Sequence, residues 1–230
     1  MGRDRCLVLF TKPPAAGRVK TRLIGDLTAE QAAELHGAFL GDVIAELSGG
    51  DFELHIAWAL EGAQELPRPA PPWLGLPAEA QTGNDLGERM FQSLSRAAGT
   101  HAFVAVVGSD HPLLEARQVE RAFERLEQGA EVALGPAEDG GYYLLAVRAA
   151  ALDRDLFTGV AWSTERVLAE TLERCRALGL RTELLAPGRD VDTPADLAAL
   201  AGELAAVPGS CPRTRTLLAR WGRLPGGGGA

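Results

Sequence analysis

Strand-sized apolar runs alternate with helix-length amphipathic segments along the chain, and this alternation restricts the fold more than any single motif. Residues 5–11, 52–60, 102–108, 131–135, 142–147 and 181–186 read as strands. The helical segments are the stretch from Thr28 to the Gly49-Gly50 stop, then 85–99, 115–128, 163–178 and 193–206. A strand that returns through a helical crossover runs parallel to its predecessor, so the pattern predicts a layered α/β fold around a largely parallel sheet. The step from 131–135 to 142–147 is hairpin-like and predicts at least one antiparallel strand. Residues 5–11 are continuously apolar, as a strand covered on both faces must be.

Local signals agree with these boundaries. Thr28 and Gln31 form a capping-box pattern, and Thr193 followed by Pro194 marks the start of the last helix. The proline-rich stretch 62–77 predicts an irregular connection. Composition shows no break and no repeat, which predicts a single domain over 1–207. Residues 208–230 form a partly flexible C-terminal tail, with a solvated arginine face and a fraying glycine-rich end after Pro225.

At 230 residues the chain can bury a full core without disulfides or a structural metal. Cys6, Cys175 and Cys211 are scattered, with no CxxC spacing. A net charge of −8 argues against a nucleic-acid partner. Neither a signal peptide nor an apolar run of spanning length is present, so a soluble, cytoplasmic protein without a membrane partner is expected.

Against this acidic background, Lys12, Arg18, Lys20 and Arg22 crowd into the loop that leaves the first strand. Of 23 basic residues, only Lys12 and Lys20 are lysines, which suggests that these positions want a compact ammonium. A cluster of this kind suits either a solvated turn or a phosphate site. Gly17 and the fixed strand end favour phosphate, although neither GxxxxGK[ST] nor GxGxxG is present.

In open α/β sheets ligands bind beyond the carboxyl ends of the strands, and the other polar clusters also follow strands. They are "GSDHP" with Asp110, "GPAEDGGY" with Glu138 and Asp139, and "GRDVDTP" with Asp190 and Asp192. Asp110 and Asp192 could each be a structural cap. Placed together beside a diphosphate they would repel it unless a hard divalent cation lay between, which points to Mg²⁺ or Mn²⁺. Glu138 and Asp139, with two glycines and Tyr142, suit a general base or an acceptor grip, or else a tight turn. Gly83, Asp85 and Gly87 open the helix at 85–99, either to hold a ribose or base or simply to cap it. His111 reads as a packing residue, and Trp162-Ser163-Thr164 as a helix N-cap or a stacking wall.

As a collinear set these segments resemble a bacterial family of glycosyltransferase-A-like proteins, described as nucleotide-diphospho-sugar transferases, some of them tied to arsenosugar biosynthesis. The likeness runs from about residue 5 to about residue 205. It implies a Rossmann-like three-layer α/β/α sandwich with a mostly parallel mixed sheet. It also implies metal ligation by Asp110 and Asp192, with Lys12, Gly17, Lys20 and Arg22 facing the phosphates. The implied activity is metal-dependent glycosyl transfer from a nucleoside diphosphate sugar to a small acceptor. "GSDHP" departs from the usual DxD and is equally similar to the single Asp of nucleotidyltransferases such as phospholactate guanylyltransferase. The alternative is therefore nucleotidyl transfer from an NTP to a phosphorylated substrate; a nucleotide-binding module without turnover is the third reading.

Overall fold

A computed structural model of the chain describes residues 4–62, 65–67, 73, 75–207 and 209–224. Its centre is β1 (Arg5–Thr11), whose apolar run is covered on both faces. Leu7 and Leu9 pack into one layer, and Cys6, Val8 and Phe10 into the other. The two-residue period of a strand thus divides one continuous apolar run between two cores.

The remaining elements follow the alternation: α1 (Ala29–Leu47), β2 (Glu53–Trp58), β3 (Ala78–Ala80), α2 (Leu86–Ala98), β4 (Phe103–Gly108), α3 (Ala116–Glu127), β5 (Val132–Pro136), β6 (Tyr142–Arg148), α4 (Val167–Ala177), β7 (Thr182–Leu184), α5 (Pro194–Ala206) and α6 (Pro212–Arg220). The seven strands order as β3-β2-β1-β4-β6-β5-β7. Only β6 runs antiparallel to its neighbours β4 and β5, and it follows β5 through the Ala137–Gly141 turn, as the short interval requires. Helices α1 and α3 cover one face of the sheet, α2 and α4 the other.

Helix α1 turns Leu40, Val43, Ile44 and Leu47 to the sheet, and Leu35 and Phe39 to a third cluster with α5 and α6. A helix apolar on nearly every side has to be covered on nearly every side. The expected caps form at both ends of the chain: Thr28 accepts from the Gln31 amide while Gln31 bonds back to Thr28, and Thr193 caps α5 in the same way with Asp196.

Three differences from the sequence reading have physical causes. The edge strand β3 is only three residues long, too short for a periodic signal, and it stands at the end of the 62–77 connection, which lies partly outside the described residues. Helix α4 begins at Val167 rather than at 163, because Ser163 adopts a left-handed backbone (φ 64°) that no helix continues. The segment read as a tail contains α6, whose arginines are tied to the body: Arg213 and Arg220 pair with Asp42 and Glu34, and Arg215 donates to the Leu204 and Val207 carbonyls. The buried Asp42 of α1 accepts from the first free amides of α6, Arg213 at 3.0 Å and Thr214 at 2.8 Å. The glycine-rich end at 225–230 lies outside the described residues. Among the described residues no helix is long and apolar enough to cross a membrane.

Candidate active site

From β1 the chain crosses over α1 to β2 on one side, and later returns through α2 to place β4 on the other side of β1. The crevice beyond the carboxyl ends of β1 and β4 is therefore the topological switch point of the sheet. Phe10 pairs with Gly108, so Thr11-Lys12 and Ser109-Asp110 emerge side by side. A buried polar knot fixes the two exits. The Thr11 and Ser109 hydroxyls lie 2.9 Å apart, and His36 of α1 brings Nε2 to 3.3 Å from the Thr11 hydroxyl and 3.0 Å from the Lys12 carbonyl. A carbonyl can only accept, so Nε2 carries the proton of the neutral ring, and burial lowers the His36 pKa. Nδ1 is left without a partner among the described residues, 3.9 Å from Asp110 Oδ1. The sequence signal for this residue is a lone histidine on an otherwise apolar helix.

Lys20 holds the centre. Its left-handed backbone (φ 48°) precedes a 3-10 turn at Thr21–Leu23 and turns the side chain inward, where only 2% of it is exposed. Nζ donates to Asp110 Oδ1 at 2.5 Å, Asp192 Oδ1 at 3.0 Å and the Val191 carbonyl at 2.7 Å, which uses all three ammonium protons. Burial opposes the charge on Lys20, but the two carboxylates outweigh it and raise its pKa. Burial likewise opposes ionised Asp110, and the Lys20 ammonium outweighs it and lowers that pKa. Asp190, half-buried, is pushed up to about 7 by desolvation and by the charges of both aspartates. The basic loop and the two distant aspartates therefore do converge. Where charge counting asked for an external cation between the acids, the chain supplies one ammonium of its own.

Around this centre the cleft has two lobes that share Phe10, Leu86, Gly108, Asp110 and Asp192. The first, of about 380 Å³, is cationic: Lys12, Arg18 and Arg89 line it, and Arg18 pairs with Glu61. The second, of about 500 Å³, is walled by Tyr142, Trp162 and Met90, and carries Arg22, Asp139 and Glu165. Trp162 stands edge-on to Tyr142, with ring centroids 6.4 Å apart, so the tryptophan forms a wall of the cleft.

The other expected residues lie as follows. Gly17, at φ 73°, supports the loop but lines neither lobe. Asp85 caps α2 by accepting from the Glu88 amide at 2.7 Å, and the Gly83 carbonyl accepts from Arg89 Nε at 3.2 Å. These two residues support a helix start whose Leu86 and Arg89 reach the cleft. Asp139 faces the second lobe, its Oδ1 held by the Gly141 amide at 2.9 Å. Glu138 does not join the site: it turns to the opposite side of the hairpin, pairs with Arg189 at 3.2 Å, and lines a separate cavity with His111. His111 is buried edge-on against Tyr143, the packing role expected for it.

Gly87 is needed for packing, since a Cβ there would lie 2.5 Å from the Trp162 indole nitrogen. Alanine in a helix normally gains about 1 kcal/mol over glycine, whereas overpacking costs about 1–3 kcal/mol. Gly87→Ala is therefore expected to lower the urea midpoint and shift Trp162 fluorescence; a midpoint above wild type would mean that this wall is loose.

Among the described residues no three His, Cys, Asp or Glu side chains converge to form a metal cage. Asp110 and Asp192 offer two hard oxygen donors, each with about two fifths of its side chain exposed in the cleft (43% and 40%). This set fits Mg²⁺ or Mn²⁺, whose remaining positions are taken by substrate phosphates and water, and it does not fit a soft transition metal.

Residues 45–164 match a family described as "Uncharacterized protein conserved in bacteria (DUF2064)". The chain belongs to the DUF2064 family. The matched region runs through β2 to β6 and includes Asp110, Asp139 and Trp162. A crystal structure from Desulfovibrio desulfuricans G20, provisionally named a nucleotide-diphospho-sugar transferase, is 34% identical to this DUF2064 protein, with a TM-score of 0.88, covering 96% of this chain and 95% of that one. A cytidylyltransferase from Leptospira borgpetersenii is 13% identical with a TM-score of 0.57, covering 96% of both chains. The 2-C-methyl-D-erythritol 4-phosphate cytidylyltransferase of Thermus thermophilus is 22% identical with a TM-score of 0.50, covering 90% of this chain and all of that one. The two cytidylyltransferases share the fold of the DUF2064 protein. A comparison with functionally curated proteins gives no match.

Proposed function

We propose that this DUF2064 protein transfers a glycosyl group from a nucleoside diphosphate sugar to a small acceptor. The observation that carries the reading is the meeting of Lys20, Asp110 and Asp192 at the switch point, between a cationic and an aromatic lobe. Lys12 and Arg89 have no ion-pair partner among the described residues and supply free charge for a diphosphate in the first lobe. The resemblance to nucleotide-diphospho-sugar transferases and the provisional name of the Desulfovibrio protein support the same donor class.

Mg²⁺ or Mn²⁺ held by Asp110 and Asp192 would neutralise charge developing on the leaving diphosphate. The chain's own contribution is positional. Lys20 keeps the two carboxylates together, Lys12 and Arg89 orient the phosphates, and Asp139 accepts a proton from the acceptor hydroxyl. A preorganised set of this kind stabilises transition-state charge without rearranging during reaction.

Nucleotidyl transfer from an NTP is the second reading, favoured by the cations of the first lobe and by the fold shared with cytidylyltransferases. Calorimetry of the full chain with UDP-, GDP- and dTDP-sugars in the presence of Mn²⁺ tests the donor, and product analysis separates the reactions. Glycosyl transfer releases a nucleoside diphosphate; nucleotidyl transfer releases pyrophosphate. Failure of every nucleotide sugar and every NTP to bind would remove both readings.

A further inference from the structure

The charge of the second lobe restricts the second substrate. Among the described residues its only cation is Arg22, which is exposed and in no ion pair. Facing it are the carboxylates of Asp139 and Glu165, both exposed and neither in an ion pair among the described residues. Asp110 and Asp192 close the inner end, where Lys20 spends its three protons on them and on the Val191 carbonyl, and where the divalent cation of the donor reading would be taken up by the donor diphosphate. The walls are the apolar rings of Tyr142 and Trp162 together with Leu86 and Met90, and the Thr164 hydroxyl donates to the Ala161 carbonyl. A phosphate monoester docked here would meet two uncompensated carboxylates and one guanidinium. A polyol or an amino alcohol would meet hydrogen-bond acceptors for its hydroxyls, ring faces for its C–H groups and, if cationic, complementary charge.

Resting on the donor reading above, we infer that the acceptor is a hydroxylated molecule without an anionic group, either neutral or cationic. The step balances in this way. The acceptor oxygen forms a bond to the anomeric carbon as the bond from that carbon to the diphosphate oxygen breaks. The nucleoside diphosphate leaves with the bonding pair, and the hydroxyl proton passes to the Asp139 carboxylate and from there to solvent.

The test reads the second lobe separately from the first. The Trp162 indole N–H resonance of the full chain, assigned by its loss in Trp162→Phe, is titrated with matched probes: glycerol against glycerol 3-phosphate, and choline against phosphocholine, each with and without UDP. Each phosphate ester is expected to bind at least tenfold more weakly than its parent alcohol. Glu165→Lys is expected to narrow that ratio by about tenfold while the donor affinity measured by calorimetry stays within twofold. Phosphate esters binding as well as or better than the parent alcohols would overturn the inference, as would pyrophosphate release from an NTP and a phosphorylated acceptor. If no nucleotide binds while the preference for alcohols persists, the donor reading fails and the charge preference of this lobe stands.

Discussion

Lys20→Met should weaken nucleotide-sugar affinity by at least a hundredfold and lower stability at the same time. The side chain is 2% exposed, and its three protons go to Asp110, Asp192 and the Val191 carbonyl. Methionine fills the volume but leaves two neighbouring carboxylates without their counter-ion, beside Asp190, whose carboxyl is pushed up to about 7 by burial and by those same aspartates. Breaking a fully buried pair costs about 3–5 kcal/mol. The aspartates keep about two fifths of their side chains in solvent (43% and 40%), so water screens part of that cost and about 2 kcal/mol is the expected loss. The loss of affinity is the larger effect, because the pair would spread and the diphosphate would meet two bare acids. Lys20→Arg should restore little: a planar fork cannot reproduce three bonds converging on one nitrogen. Urea midpoints and calorimetry with the same nucleotide sugar measure the two effects separately. If Lys20→Met binds the donor with wild-type affinity, Lys20 does not organise this site.

How much of this was legible in the sequence depended on whether the signal was local. The strand and helix alternation, the caps at Thr28 and Thr193 and the hairpin before β6 are short-range patterns, and each survives in the structure. The rule that ligands bind at strand ends gathered Lys20, Asp110 and Asp192 although 172 residues separate Lys20 from Asp192. Composition did not reveal that Lys20 itself sits between the acids, since that follows from a left-handed backbone at a lysine. Glu138 and Asp139 are adjacent in the chain and form one acidic motif. A register shift at Gly135/Pro136 and the turn after it send them to opposite sides. Helix α6 carries no cap of its own: Cys211 precedes it in a left-handed conformation, and the cap comes from Asp42, 171 residues from Arg213. His36 and Arg89 act from helices, where the helical period marks the buried face and not which end of the helix meets a cleft.

Asp110→Asn and Asp192→Asn should each lower the transfer rate by about a thousandfold, with a fall in the urea midpoint smaller than that of Lys20→Met. Asparagine keeps the shape and offers Lys20 a side-chain oxygen, and the backbone bond from the Val191 amide to the Asp110 carbonyl, 2.9 Å, does not depend on the side chain. What disappears is one of the two negative oxygen donors that would hold a divalent cation. Charge stabilisation of that kind supplies several kcal/mol, and each 1.36 kcal/mol is about tenfold in rate. The rate therefore falls much further than the stability in these variants, each of which leaves Lys20 one carboxylate and the Val191 carbonyl, whereas Lys20→Met removes every bond of the ammonium. Mn²⁺ binding followed by water-proton relaxation, with and without UDP, provides the check that does not depend on turnover. Each variant is expected to bind Mn²⁺ at least tenfold more weakly than wild type in the presence of UDP. The double variant should be no worse in rate than the poorer single one, because residues acting as a unit are strongly non-additive. Wild-type Mn²⁺ affinity in both single variants would move the metal away from these aspartates and leave Lys20 as the main positive charge at the centre of the cleft.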